Sequence, residues 1–104
     1  MTSLVHNVLV EWNADAPTDA SARASELVDA RLRGLQGVIS IHRGPSASPE
    51  GLEGPSDWGM TILFDGAAAR DAYLPHPDHL VVAEYLRAHA AGVIVFDIPE
   101  DPAA

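Results

Sequence analysis

Residues Tyr73 to Leu86, YLPHPDHLVVAEYL, begin with one of the chain's two tyrosines, two of its five histidines and two prolines in seven residues, then run on as an apolar-rich segment. Pro75 lacks the amide hydrogen that a helix interior needs, so a helix arriving from Ala67 must end at about Leu74. Pro77 suits the first position of a new helix, and Asp78 falls in its first turn, where the helix dipole favours an anion. From there His79, Val82, Ala83, Leu86 and Ala90 recur at helical spacing and make one inward stripe. The segment is therefore two helices joined by a hinge. His76 belongs to the hinge, whereas His79 faces inward, with Tyr73 folded back beside it.

On either side of these helices the pattern changes to alternation. Trp58 to Phe64 (WGMTILF) reads as a strand with Trp58, Met60, Ile62 and Phe64 on one face, and Val93 to Ile98 (VIVFDI) as the last strand. At the start, Leu4 to Trp12 (LVHNVLVEW) puts Leu4, His6, Val8, Val10 and Trp12 on one face and Val5, Asn7, Leu9 and Glu11 on the other. The turn-forming NADAPTDA follows, and Thr18 or Asp19 can cap a helix with Ala20, Ala24, Leu27, Val28, the Arg31 stem and Leu35 inward. Gly34 and Gly37 bracket its end, and Val38 to Arg43 (VISIHR) is a second strand. Residues 45–57, with three prolines and two glycines, form a long exposed loop rather than a domain linker. The order β-α-β-β-α-β predicts an α+β, ferredoxin-like subunit as a single domain over residues 1–104, with PEDPAA, residues 99–104, as a frayed acidic tail.

Composition narrows the function. The chain has 104 residues, 47% of them hydrophobic and 20% charged, which suits one globular domain rather than a disordered chain. Six basic against fifteen acidic residues give a formal charge of −9, which repels phosphate backbones and anionic lipid, so neither nucleic acid nor a membrane is an expected partner. There is no cysteine, hence no disulfide and no thiolate metal site. No apolar run approaches the ~20 residues of a membrane span, and the N-terminus lacks the pattern of a signal peptide, so a cytoplasmic location is expected. Both faces of the strands carry apolar side chains, although helices cover only one. A second copy of the chain is the expected cover, giving a homodimer whose sheets pack face to face or close into a barrel.

The stretch Tyr73-Leu74-Pro75-His76-Pro77-Asp78-His79, with Phe64-Asp65 before it, Val95-Phe96-Asp97 after it and His6 in the first strand, resembles the stress-responsive A/B barrel (Dabb, dimeric α+β barrel) family over essentially the whole chain. The resemblance implies obligate pairing and a cavity between sheet and helices. Most members have no assigned reaction. One plant member, an olivetolic acid cyclase, closes a polyketide by aldol condensation without a cofactor, and its catalytic tyrosine and histidine match Tyr73 and His79. Its other cavity histidines match His6 and Trp58, so one is kept and one is changed. Where the cyclase carries aromatics on the first helix, this chain has Ala24 and Ser25.

An aldol step needs a base for an activated C–H and a donor for the developing oxyanion, roles that suit neutral His79 and the Tyr73 hydroxyl. Walls of an apolar pocket for a small molecule are expected from His6, Val8, Val10, Val28, Trp58, Met60, Ile62, Val82, Val93 and Val95. No cofactor is expected. Some family members are suspected of binding magnesium. Here His76 and His79 lack a third ligand, and Glu50, Glu53 and Asp57 sit in a loop too mobile for a rigid octahedral site, so no metal is expected. His42 and His89 read as surface residues. Three readings stand at this point: a cyclase or lyase, a non-catalytic binding or stress-related dimer in which Tyr73 and His79 are a buried hydrogen-bonded pair that only fixes the hinge, and, by fold analogy alone, a cofactor-free monooxygenase.

Overall fold

Alternation of apolar side chains produces four strands, and the helical stripes produce the helices between them. A computed structural model describes residues 2–100 as β1 (Leu4–Trp12), α1 (Ala20–Arg31), β2 (Val38–Gly44), β3 (Trp58–Phe64), α2 (Ala67–Tyr73), α3 (Pro77–His89) and β4 (Ala90–Pro99). The strands form one antiparallel sheet in the order β2-β3-β1-β4. This is the ferredoxin-like α+β arrangement with the last helical connection in two pieces. No helix among the described residues is long and apolar enough to cross a membrane.

Register fixes which side chains share a face. Leu4, His6, Val8 and Val10 of β1 stand opposite Phe64, Ile62, Met60 and Trp58 of β3. All eight are buried, together with Ala24 and Val28 of α1 and Val82 and Leu86 of α3, so this is the helix-covered face. On the other face Leu9, Ile94, Phe96 and Ile98 are exposed, around a polar centre where Thr61 Oγ1 donates to Asn7 Oδ1 at 3.0 Å.

Several details differ from the sequence reading. Leu32, not the Arg31 stem, is the last buried side chain of the first helical segment, and Arg31 instead reaches Asp78 at 3.3 Å, tying α1 to α3. Asp19 occupies the N-cap of α1 but its side chain makes no capping bond. A register shift between Val38 and Ser40 turns Ile39 outward and Ile41 into the core. β4 starts at Ala90, straight from α3, and extends past Ile98, because Pro99 pairs with Leu4 and the Glu100 amide donates to Ser3 O at 2.8 Å. The expected fraying therefore does not begin at 99, and residues 101–104 lie outside the described residues. His89 is half-buried against the Tyr85 ring, 4.5 Å between centroids, while His42 is exposed as expected.

The hinge forms as its sequence requires. α2 ends at Tyr73, Pro77 opens α3, and His76 is the N-cap between them, its Nδ1 accepting from the Asp78 amide at 3.0 Å. α2 lies close to the turn before β2, where Gly37 has φ +89° and an added Cβ would stand 2.6 Å from Ala69 Cβ. Only glycine fits both that backbone and that space.

Candidate functional site

Tyr73 sits at the end of α2 and His79 one turn into α3, and the Leu74-Pro75-His76 turn brings them together. Their ring centroids are 4.4 Å apart with planes tilted 48°. The contact is ring against ring and not a hydrogen bond. His79 Nδ1 lies 2.7 Å from Leu74 O. A carbonyl oxygen only accepts, so Nδ1 carries the proton and Nε2 of the neutral ring holds the free lone pair. Burial lowers the pKa of His79 from its ordinary 6.5, opposed by the Leu74 carbonyl and reinforced by nearby His6, which favours that neutral form.

Tyr73 is 3% exposed, and its hydroxyl is buried with no hydrogen-bond partner among the described residues. Burial pushes its pKa well above the ordinary 10.0, so the phenol stays protonated. Its ring also meets Phe64 at 5.0 Å and His6 at 5.8 Å. An unpartnered buried donor is costly to leave unsatisfied.

His6 reaches the same cluster from β1. It is 3% exposed, and register places it directly opposite Asp97 of β4. Its Nδ1–H donates to Asp97 Oδ1 at 2.6 Å, which leaves Nε2 as the other ring position. Arg70 of α2 donates to Asp97 Oδ2 at 2.7 Å and to Asp71 Oδ1 at 2.8 Å, and these two bonds, Asp97 first, hold its guanidinium more firmly protonated. A chain Arg70–Asp97–His6 therefore ties α2, β4 and β1 together beneath Tyr73. The sequence reading gave neither Asp97 nor Arg70 a role, although Asp97 stands in the Val95-Phe96-Asp97 segment of the family resemblance. Asp97 gave a usable signal, an acid in the apolar VIVFDI with the same parity as Val93 and Val95. Arg70 gave none, because one turn of an exposed-looking helix does not show which strand it crosses.

Beside this cluster lies an open cavity of about 380 Å³ between α3 and the β1–β4 part of the sheet. Of the expected site residues, His6, His79, Val8, Met60, Val82, Val93 and Val95 line it, with Leu74, Ala83, Leu86 and Arg87 in addition. Val10, Val28, Trp58 and Ile62 do not. They are fully or almost fully buried in the core beneath α1, on the correct face but in its filled half. There Trp58 Nε1 donates to Ser25 Oγ at 2.9 Å and Trp12 Nε1 to Ser21 Oγ at 2.9 Å, so both indoles are tied to α1. Tyr73 lies just outside the lining, behind the His79 ring, and instead walls a groove of about 510 Å³ on the far side, between α2 and the turn before β2. That groove has small alanine walls, and its titratable groups besides Tyr73 are Asp65 and His76, whose Nδ1 is used in capping. Among the described residues no group of three His, Asp or Glu side chains is arranged to hold a metal ion.

The family profile of the stress responsive A/B barrel domain matches residues 4–100. No curated protein matches the sequence. Among solved structures the chain is similar to a dimeric ferredoxin-like protein of unknown function from Jannaschia sp. CCS1, with 27% identity, a TM-score of 0.81, and 92% of this chain and 97% of that one covered. A second dimeric ferredoxin-like protein of unknown function, from Thermobifida fusca, is 18% identical with a TM-score of 0.82, covering 93% of this chain and 90% of that one. The hydroxynitrile lyase of Passiflora edulis is 11% identical with a TM-score of 0.82, covering 96% of this chain and 94% of that one. At the identities of the last two, the likeness is one of fold.

Proposed function

The chain belongs to the stress-responsive A/B barrel family, and from that membership we propose that it acts as a homodimer whose subunits each bind a small apolar carbonyl compound and move a proton on it, as a lyase or cyclase. The observation that carries this reading is the fixed state of His79, whose Nδ1–H is committed to Leu74 O on a residue lining an apolar cavity. A neutral, half-buried imidazole with one free lone pair is a general base suited to pH near neutrality.

In this reading His79 Nε2 takes a proton from carbon next to a carbonyl, and the C–H electron pair moves into an enolate. The Tyr73 hydroxyl, buried behind the His79 ring in the free protein, donates to the enolate oxygen only if bound substrate uncovers it. Carbon–carbon bond formation at a second carbonyl gives an alkoxide, which takes the proton back from His79; the reverse sequence is cleavage. Tyr73 fits the donor role because burial keeps it protonated and its hydroxyl lacks a partner. Asp97, held by Arg70, keeps His6 oriented in the cavity wall. The hydroxynitrile lyase of Passiflora edulis is an example of lyase chemistry on the same fold. The dimer is supported by the solved relatives described as dimeric and by the exposed apolar face of the sheet.

Turnover of a panel of β-diketones, linear polyketide mimics and cyanohydrins tests the reaction. His79→Ala is expected to lower the rate on any substrate found by about 10²–10⁴. One observation favours a second reading, a non-catalytic carrier. The Tyr73 hydroxyl is closed off from the cavity, as it would be if Tyr73 and His79 only packed the hinge. Binding of such compounds without turnover, unchanged in His79→Ala apart from affinity, would establish the carrier.

A further inference from the structure

The cavity under α3 has two chemically different ends. α3 runs from Pro77 to His89 and β4 doubles back from it at Ala90, so His79 and the His6–Asp97 pair mark one end, while Arg87 and Val93 mark the other. His79 and Arg87 stand on the same helix, about 12 Å apart along its axis at about 1.5 Å per residue. Between them Val8, Met60, Val82, Ala83 and Leu86 make the lining apolar. Among the described residues Arg87 is the one lining side chain with a permanent charge, and no carboxylate belongs to the lining. Its guanidinium is weakly engaged. Nη1 donates to Glu84 Oε2 at 3.2 Å, but the two side chains are 71% and 79% exposed, so the pair contributes little and can be exchanged for another carboxylate.

We propose that the cavity takes an apolar keto acid: a compound whose carbonyl end lies at His79 and His6, whose chain fills the apolar middle, and whose carboxylate is held by Arg87 at the mouth. The planar guanidinium fork matches a carboxylate through two parallel N–H donors. A single negative charge suits this mouth better than a phosphate dianion, because one cation faces it, Glu84 stands beside that cation, and the chain carries a formal charge of −9. Arg87 moves no proton. It fixes which end of the ligand reaches His79 and selects charged ligands over uncharged ones of the same shape. This inference rests on the cavity and the His79 base of the proposed function and adds the class of compound they take.

The test compares 9-oxodecanoic acid with its methyl ester, which keeps the ketone and the chain but not the charge. Wild-type protein is expected to bind the acid about fivefold more tightly than the ester by calorimetry, the size of a good ion pair at a partly open site. Arg87→Gln should bring that ratio to one. In the wild type, salt at about 1 M should do the same without any variant, because it screens the pair. Nonyl phosphate is expected to bind more weakly than the acid. Equal affinity of the wild type for acid and ester, or a ratio undiminished in Arg87→Gln or at high salt, would overturn the inference, and tighter binding of nonyl phosphate would overturn the choice of a carboxylate. Exchange of the ketone's α-hydrogens in heavy water, followed by NMR, separates these failures from failure of the proposed reaction. Exchange that His79→Ala does not slow overturns the base and leaves a charge-dependent ratio standing. If neither compound binds, the apolar cavity and the inference fall together.

Discussion

The helix-covered face of the sheet has two halves built from the same kinds of residue but finished differently. Beneath α1, Val10, Val28, Trp58 and Ile62 leave no room, and each indole N–H is satisfied by a helix serine. Beneath α3, Val8, Met60, Val82, Val93 and Val95 surround open space, while the two buried hydroxyls without a partner among the described residues are divided, Tyr73 behind that space and Tyr85 against Trp12 on the filled side. Close packing with satisfied polar groups is what stabilises a small domain. Open space lowers stability, and it is also what a ligand site requires, whereas an unsatisfied hydroxyl is found on both sides. The filled half holds the fold, and the open half is where chemistry can be placed.

Trp58→Ala should give the largest effect, since it empties the filled half and orphans Ser25. A loss of about 3–5 kcal/mol in urea unfolding is expected, a large part of the about 5–15 kcal/mol total of such a domain. Val95→Ala, on the open wall, should cost well under half of that. Equal losses would break the distinction between the halves.

Asp97→Asn comes next. It keeps the shape but removes the charge that Arg70 and His6 share, and should lower stability by about 1–3 kcal/mol while loosening His6. An unchanged His6 ring environment by NMR would show that the chain Arg70–Asp97–His6 does not position it. Tyr73→Phe removes a hydroxyl that has no hydrogen-bond partner among the described residues, so stability should stay level or rise by up to about 1 kcal/mol. In the catalytic reading the same variant loses activity, a split that a purely packing tyrosine would not produce.

The two remaining effects are titrations. His79 should titrate below 6.5 by NMR, and removal of the Tyr73 bulk should bring it nearer that value. Because its folded value is the lower one, the unfolded chain binds more protons in the window beneath 6.5. The His79 contribution is therefore complete above 6.5 and is lost as pH falls through the folded value, which His79→Gln should remove from the Tm profile. At the surface of the filled half, the Arg43 bond, with help from Arg33, lowers Asp29 from 3.8 to about 2. Arg43→Ala should raise that carboxyl toward 3.8 with little change in Tm near neutrality, because the pair is substantially exposed.

Much of this site is legible in the order of residues alone. Parity along β1 and β3 puts His6, Val8 and Met60 on the helix-covered face, and two prolines separate hinge His76 from inward His79. The same parity assigns Val10, Trp58 and Ile62 to the cavity as well, and the helical stripe of α1 adds Val28, although all four fill the core. Period-two alternation reports which face a residue is on, and it carries no information about where along that face the helices leave a gap.

The sequence by itself determined the order of elements, the break at Pro75 and Pro77, and the inward direction of Tyr73 and His79, since each depends on dihedral restriction or on residue spacing within one segment. Only the tertiary structure decided that Tyr73 meets His79 by ring contact and not by a hydrogen bond. It also decided that Leu74 O fixes the histidine tautomer, and that Asp97 stands between His6 and Arg70. Asp97 is 91 residues from His6 and 27 from Arg70 along the chain. Contacts at such separations arise from the register of β1 against β4 and from the way α2 crosses the sheet, which packing of the whole chain sets and no local pattern encodes.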